Sequence, residues 1–380
     1  MSISRPEKTI QMVDLLTQYK NIATEVNQAI LNVIETTAFI NGPAVKDLKA
    51  GMQKEFNVKH VIPCANGTDA IQIALMALDL KPGDEIITTA FTFIATAEVI
   101  ALLGLTPVFV DVDPNNYCIS PEAIKEKITD KTKVIIPVHL YGHCAPMEEI
   151  LNIASEHNIK VIEDTAQGIG SAYTFTDRTK KFAGTIGDIG TTSFFPSKNL
   201  GCYGDGGAIM TNDDELAEKM AMIINHGSKV KYYHEIVGVN SRLDTMQAAI
   251  LNIKLPLLKG YSAARRKAAD FYCEALKEVL EIETPIIETY SDHVFHQFTM
   301  KVKNGKRDEL KAFLQDKGIP SMVYYPVCLH QQNAFKHYTS GESIPISEQL
   351  QKEVLSLPMH TELDEETLTY ITEQIKYFFK

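Results

Sequence analysis

The sequence predicts an α/β protein, with a mostly parallel central sheet in a large domain over residues 1–255 and a smaller α+β domain over 256–380. Three observations carry this expectation. Short apolar runs alternate with helix-length segments through the first two-thirds of the chain, the pattern of parallel strands joined by crossover helices. Those runs are nearly continuous in apolar character, as in strands covered on both faces. From about residue 255 the chain turns to helices rich in Ala, Lys and Glu, with only scattered strand-like runs. A chain of 380 residues is also longer than one core usually organises.

Taken in order, residues 44–56 read as a helix and 60–64 as the first strand. Residues 70–80 place apolar side chains at helical spacing, and Pro82-Gly83-Asp84 marks a turn before a strand at 85–88. A helix near 94–103, strands at 107–112 and 133–138, a helix near 147–157 and a strand at 160–164 continue the alternation. The C-terminal part reads as a helix at 262–280, a strand-like run at 295–302, a helix at 307–317, a strand-like run at 322–325 and a charged helix at 364–379. The first 40 residues are expected to pack across the large domain and stay out of its sheet.

Composition bounds the function. An apolar fraction of 45% with 22% charged residues fits a folded globular chain and argues against disorder. A formal net charge of −11 disfavours nucleic acid or an anionic membrane as the main partner, while leaving room for a locally basic pocket. The six cysteines form no C-x-x-C pair and no Cys/His cluster, so neither structural zinc nor a disulfide framework is expected. The histidine pairs His139/His143 and His293/His296 lack a carboxylate companion for a metal and read as core, capping or substrate-contact residues. The N-terminus shows no signal-peptide run, and the apolar stretch 94–110 is broken by Glu98, Gly104 and Pro107. These features point to a reduced, cytoplasmic compartment.

Three motifs carry chemistry. Cys64-Ala65-Asn66-Gly67-Thr68-Asp69 ends a strand, turns at Gly and opens a helix. Free amides, the helix dipole and a hydroxyl there converge on one point, which suits an anion. The same residues also suit an ordinary capped helix whose Thr and Asp satisfy only their own backbone. Val161-Ile162-Glu163-Asp164-Thr165-Ala166-Gln167 puts a carboxylate at the C-terminal end of a buried strand, where open α/β sheets place ligands. A helix cap, with Gln167 completing a capping box, is the alternative. Thr192-Ser193-Phe194-Phe195-Pro196-Ser197-Lys198 sets a lysine among apolar, Pro and Gly residues. Desolvation lowers a lysine's pKa and exposes a nucleophilic amine; a surface hairpin lysine is the plainer reading. The run Gly201-Cys202-Tyr203-Gly204-Asp205-Gly206-Gly207 matches neither a Walker loop nor G-x-G-x-x-G, and is expected to turn a hairpin corner with glycines at positive φ.

The order of these motifs, together with Phe91-Thr92-Phe93, His226-Gly227 and Gly238-Val239-Asn240-Ser241-Arg242-Leu243-Asp244, resembles the DegT/DnrJ/EryC1/StrS aminotransferases over roughly residues 12–375. The resemblance implies the type I fold of enzymes that use pyridoxal 5′-phosphate (PLP). It implies that Lys198 is the Schiff-base lysine and the proton-transfer group. It implies that Asp164 pairs with the pyridinium nitrogen, Gln167 with the phenolic oxygen, and Gly67, Thr68 and Ser193 with the phosphate. Phe93 would stack on the ring, and Asn240 would reach the phosphate of the neighbouring subunit in a homodimer with shared active sites. Glutamate would be the amino donor and a nucleotide-linked keto-sugar the acceptor, in cell-surface polysaccharide (such as O-antigen) biosynthesis. The nearest pattern within the family implies UDP-2-acetamido-2-deoxy-3-oxo-glucuronate as acceptor. Arg242 would meet its carboxylate, or else make a structural ion pair at the dimer interface. Neutral dTDP- or GDP-keto-sugars are the alternative, and a non-catalytic PLP-binding regulator is another. Tyr324 and His330 are expected at the sugar. Tyr324-Tyr325-Pro326 departs from the His-Tyr-Pro common in the family.

Overall fold

The computed structural model describes residues 5–339 and 341–380. In chain order the strands are β1 (His60–Cys64), β2 (Glu85–Thr89), β3 (Thr106–Val110), β4 (Thr132–Ile136), β5 (Lys160–Asp164), β6 (Ala172–Thr174), β7 (Lys180–Phe182), β8 (Ile189–Ser193), β9 (Gly207–Thr211), β10 (Ser228–Val230), β11 (Tyr233–His234), β12 (Ile282–Glu283), β13 (Phe298–Val302) and β14 (Val354–Leu357). The first helices are α1 (Leu15–Asn21), α2 (Ala23–Thr36), α3 (Pro43–Phe56), α4 (Gly67–Ala77), α5 (Ala95–Leu102), α6 (Pro121–Lys127) and α7 (Met147–His157). They are followed by α8 (Asp214–Ile223), α9 (Thr245–Lys254), α10 (Leu258–Leu276), α11 (Arg307–Asp316), α12 (Pro345–Glu353) and α13 (Glu365–Phe378).

Seven strands form the central sheet in the order β1-β9-β8-β5-β4-β2-β3. Pairing is parallel from β8 through β5, β4 and β2 to β3, while β9 runs antiparallel to both β8 and β1. Prolines report the edges. Pro63 lies in β1 and Pro107 in β3, the two outermost strands, where a missing amide costs no interior ladder bond. The five interior strands contain none.

Side chains alternate between the two faces, as a period of two requires. Ile62, Ile86, Val134, Ile136, Ile162, Ile189 and Ile209 share one apolar cluster with α4, α5 and α8. Their neighbours Ile87, Ile135 and Val161 join a second cluster with Ile150 of α7. Val61, Ala208 and Met210 join a third with Leu48 of α3 and Leu251 of α9. Asp164 therefore shares the face of Ile162, while Glu163 shares that of Val161.

The three-stranded antiparallel sheet β12-β13-β14 packs with α10, α11 and α13 through Tyr272, Phe298, Leu314, Leu355 and Ile371. Cys328, Leu329, Phe335 and Leu350 return to the large-sheet cluster beside Phe109 and Tyr117. Val26 of α2 packs on Ile250 of α9, so the N-terminal helices lie across the large domain outside its sheet.

Two expectations change. Residues 322–325 form no strand, only an isolated bridge from Met322 to Ser356. The Gly-rich run does connect antiparallel strands, but Gly201, Gly204, Gly206 and Gly207 are absent from the positive-φ positions. They serve close approach instead: a side chain at Gly207 would strike the Asn66 carbonyl, and one at Gly201 the Pro196 carbonyl. Among the described residues no helix is long and apolar enough to cross a membrane, and no His/Cys/Asp/Glu group is arranged to hold a metal.

Candidate active site

A cavity of about 690 Å³ opens at the C-terminal ends of the parallel strands, the expected ligand position in an open α/β sheet. The start of α4 forms one wall. Asn66, in extended conformation, caps the helix by accepting the Asp69 amide at 2.8 Å. Cap duty thus falls on Asn66 and not on Thr68 or Asp69. The first amides of the helix, at Gly67 and Thr68, are left without intrahelical acceptors. The Thr68 hydroxyl has no partner among the described residues. The end of β8 presses against this turn. A Cβ at Gly67 would lie 2.7 Å from Ser193 Cβ, so only glycine lets the Ser193 hydroxyl and the helix start share one corner.

Asp164 ends β5 and is 6% exposed. Its Oδ2 accepts Thr96 Oγ1 at 2.8 Å and its Oδ1 accepts the Ala166 amide at 3.1 Å. No helix starts here; the chain turns through 166–170, so the capping-box alternative is replaced by a tight turn. Gln167 bridges two elements: its Oε1 accepts the Tyr141 amide at 2.7 Å, and its Nε2 donates to Tyr325 Oη at 2.9 Å. Tyr141 holds φ 57, a left-handed conformation that aims its amide at Gln167. Behind Asp164, on the opposite sheet face, fully buried Glu163 accepts the amides of Gly184, Ile186 and Gly187. It also pairs with His139 Nε2 at 2.9 Å. His139 Nδ1 accepts the Ala145 amide, so the ring is neutral and its proton sits on Nε2. Glu163 is thereby a fully bonded carboxylate that pins the strand beneath Asp164.

Lys198 sits in the connection between β8 and β9, with its amide bonded to the Phe195 carbonyl at 2.8 Å. Burial pushes its ammonium down to about 8, and the Asp164 carboxylate works in the opposite direction. Beside it His296, 5% exposed, is held well below the usual histidine range by burial, by Lys198 and by Arg265. Burial raises the Tyr325 phenol, which therefore stays protonated. Phe93 presents its ring to the cavity, 56% exposed and 6.4 Å from the Tyr325 ring centre.

The structure thus brings Gly67, Thr68, Phe93, Asp164, Gln167, Ser193, Lys198 and Tyr324 to one cavity. Three expected residues lie outside it. Asn240 is exposed on the surface, beyond the β10–β11 hairpin. Arg242 is half-buried and makes no ion pair with another described residue of this chain. His330 is buried against Glu348, with Nε2 at 3.1 Å from Oε1. Sequence reading did not single out Thr96, Tyr141 or Gln297, which also line or brace the cavity; it left His296 open as a core, capping or substrate-contact residue and named Tyr325 only as part of the Tyr324 loop. Thr92 and Thr96 lie four residues apart with their hydroxyls 3.4 Å from each other, a faint signal; Tyr141 and Gln297 come from distant loops and leave none.

The geometry fits PLP. A helix start with free amides and hydroxyls suits a phosphate, a buried anionic carboxylate suits a ring nitrogen, an exposed aromatic face suits a ring, and a lysine of lowered pKa suits an aldehyde. The volume lies within the usual range of cofactor pockets. Fold and site define a PLP-dependent aminotransferase of the α/β class. The chain belongs to the DegT/DnrJ/EryC1/StrS aminotransferase family, whose model matches residues 20–376. It is similar to the UDP-2-acetamido-2-deoxy-3-oxo-D-glucuronate aminotransferase of Pseudomonas aeruginosa, 44% identical over 95% of this chain and 98% of that one. It is equally similar, at 44% over 97% of each chain, to a UDP-N-acetyl-3-dehydro-alpha-D-glucosamine 3-aminotransferase of Acidithiobacillus ferrooxidans. A Geobacillus stearothermophilus protein named pleiotropic regulatory protein is 49% identical over 98% of this chain and 99% of its own. Among solved structures, S. venezuelae DesV with a ketimine intermediate superposes with a TM-score of 0.94 at 34% identity, covering 98% of this chain and 99% of that one. NtdA of Bacillus subtilis, with bound PMP, gives 0.90 at 32%, covering all of this chain and 87% of that one. The chain is a sugar aminotransferase that uses PLP.

Proposed function

We propose that this enzyme aminates the 3-oxo group of a UDP-linked 2-acetamido sugar, with UDP-2-acetamido-2-deoxy-3-oxo-glucuronate as the preferred acceptor and L-glutamate as donor. The observation that carries the reading is Lys198: a lysine of lowered pKa faces Asp164 in one cavity with the phosphate-shaped start of α4. When bound, PLP supplies an electron sink for the carbanion formed at the amino-bearing carbon. Lys198 would anchor the cofactor and, once released, would carry the proton from the donor's Cα to C4′ of the cofactor, and in the second half of the cycle from C4′ to the sugar carbon. Asp164 holds a proton on the ring nitrogen, with Thr96 and the Ala166 amide fixing its orientation. Gln167 spends one amide hydrogen on Tyr325 and keeps the other for the phenolic oxygen. Gly67, Thr68 and Ser193 seat the phosphate, and Phe93 covers the ring.

Both UDP-sugar relatives carry names for amination at the 3-position, which supports that regiochemistry. Among the described residues the cavity has one Lys or Arg, Lys198, beside Asp69, Asp164 and Asp205. A uronate carboxylate therefore needs a cation from elsewhere, and Arg242 of a neighbouring subunit supplies it in this reading. The regulatory relative motivates a second reading, a PLP-binding regulator. Retention of Lys198, Asp164 and Gln167 supports catalysis over it.

One screen tests both. The protein loaded with PLP is expected to be yellow, to bleach on adding L-glutamate, and to regain colour with the 3-oxo uronate. UDP-, dTDP- and GDP-linked keto-sugars are compared at equal concentration. Higher kcat/KM for a neutral sugar removes the uronate assignment, and indifference to every amino donor favours the regulator.

A further inference from the structure

A second buried lysine lies close to the connection that carries Lys198. Lys254, the last residue of α9, is 1% exposed and forms no salt bridge among the described residues. A buried ammonium without a carboxylate is costly, and it persists where all three of its donors find acceptors. Here two donors reach oxygens, the Gly201 carbonyl at 2.8 Å and Gln18 Oε1 at 3.0 Å, and the face of the Tyr203 ring, its centre 4.5 Å from Nζ, stands in for a third acceptor.

The geometry of α9 adds a second grip. Gln247 lies seven residues before Lys254, two turns back on the same helix face. Its Oε1 accepts the Tyr203 amide at 2.9 Å. One face of α9 thus holds the Gly201 carbonyl and the Tyr203 amide, three and five residues beyond Lys198. The return of the chain is tied as well, since the Cys202 amide bonds to the Phe194 carbonyl at 2.8 Å. Gln18 in α1 also donates to Thr361 Oγ1 at 3.4 Å, which links the clamp to the C-terminal part of the chain.

We propose that Lys254 is a positioning residue that, with Gln247 and Gln18, fixes the β8–β9 connection so that Lys198 meets the reacting carbon in register. This rests on the reading of Lys198 as cofactor anchor and proton carrier. A charge-assisted donor on a carbonyl is stronger than a neutral one, and a long flexible stem reaches that carbonyl through an apolar layer. Misplacement of a proton carrier slows chemistry without altering how substrate binds.

The test uses Lys254→Met and Gln18→Leu in the full chain. Amide hydrogen exchange of residues 194–206 is measured in the apoprotein, and the glutamate half-reaction in the PLP-loaded protein. Lys254→Met is expected to speed exchange at Lys198 and Cys202 about tenfold or more. It is expected to lower the half-reaction rate about tenfold with KM for glutamate within about twofold. Gln18→Leu should shift both in the same direction by a smaller factor, and it carries the test if Lys254→Met fails to fold. Wild-type exchange and rates in the variant that folds, or a loss confined to KM, would overturn the proposal. If wild type itself takes up no PLP, the reading of Lys198 fails, while exchange in the apoprotein still reports on the clamp.

Discussion

At the scale of single residues, the environment of Lys198 makes a quantitative statement about pH. An ordinary lysine titrates near ~10.4 and presents almost no neutral amine at neutral pH. Burial brings Lys198 down to about 8, against the pull of Asp164. With that value about a tenth of the amine is neutral at pH 7, and nearly all of it two units above the midpoint. The rate at which apoprotein captures PLP, followed by its visible absorbance, is expected to rise with pH through about 8 and then level off. A rate still climbing beyond pH 10 would show that the amine is not desolvated. Much of this chemistry was legible beforehand, because Lys198, Asp164, Gln167 and Ser193 each sit in a short local motif. Gln297 was not legible as a site residue and His296 was left among three readings, since their place depends on where distant loops land. His330 lies outside this chain's cavity, and nothing local announces that Glu348, 18 residues on, meets its Nε2.

At the scale of elements, the junction of α4 and β8 leaves no room for a side chain at Gly67. Gly67→Ala would set a methyl 2.7 Å from Ser193 Cβ and 3.2 Å from Ser193 Cα, so the strand end must shift. We expect PLP affinity to fall about tenfold or more, equivalent to about 1.4 kcal/mol, in titrations of the apoprotein. Unchanged affinity would mean that the phosphate is not seated at this turn. The strands at 60–64, 85–89, 106–110, 132–136 and 160–164 stand out in the sequence because each is a compact apolar run. Those at 189–193 and 207–211 do not: Ile-Gly-Thr-Thr-Ser and Gly-Ala-Ile-Met-Thr carry few large side chains, because helices and turns crowd against them. The opposite error occurs at 322–325, where Met-Val-Tyr-Tyr has strand-like composition but makes a single bridge. Its tyrosines serve the cavity instead of a ladder.

At the scale of the whole molecule, the exposed position of Asn240, outside its own chain's cavity, agrees with a role in a neighbour's site. In a homodimer with shared sites, Lys198→Ala and Asn240→Ala should each abolish or strongly reduce activity alone. Dissociated and remixed in equal amounts, half of the dimers combine one subunit of each kind. Each such dimer has one site with both native residues, so the mixture is expected to regain about a quarter of wild-type activity. No recovery on remixing would place Asn240 in a role within its own subunit or outside the reaction.

The antiparallel insertion of β9 bears on how the chain is made. β1 pairs with β9 in a register running from His60 opposite Thr211 to Cys64 opposite Gly207, a separation of roughly 150 residues. At a synthesis rate of roughly 5–20 residues per second, the nascent β1 and the apolar face of α4 wait on the order of ten seconds for their partner. Contacts this distant in sequence slow folding and leave apolar surface available to chaperones or to other nascent chains. The corner proposed to seat the phosphate, where Gly207 of β9 abuts Asn66 and Gly67, cannot close until β9 has left the ribosome, so cofactor uptake would become a late reporter of folding during synthesis.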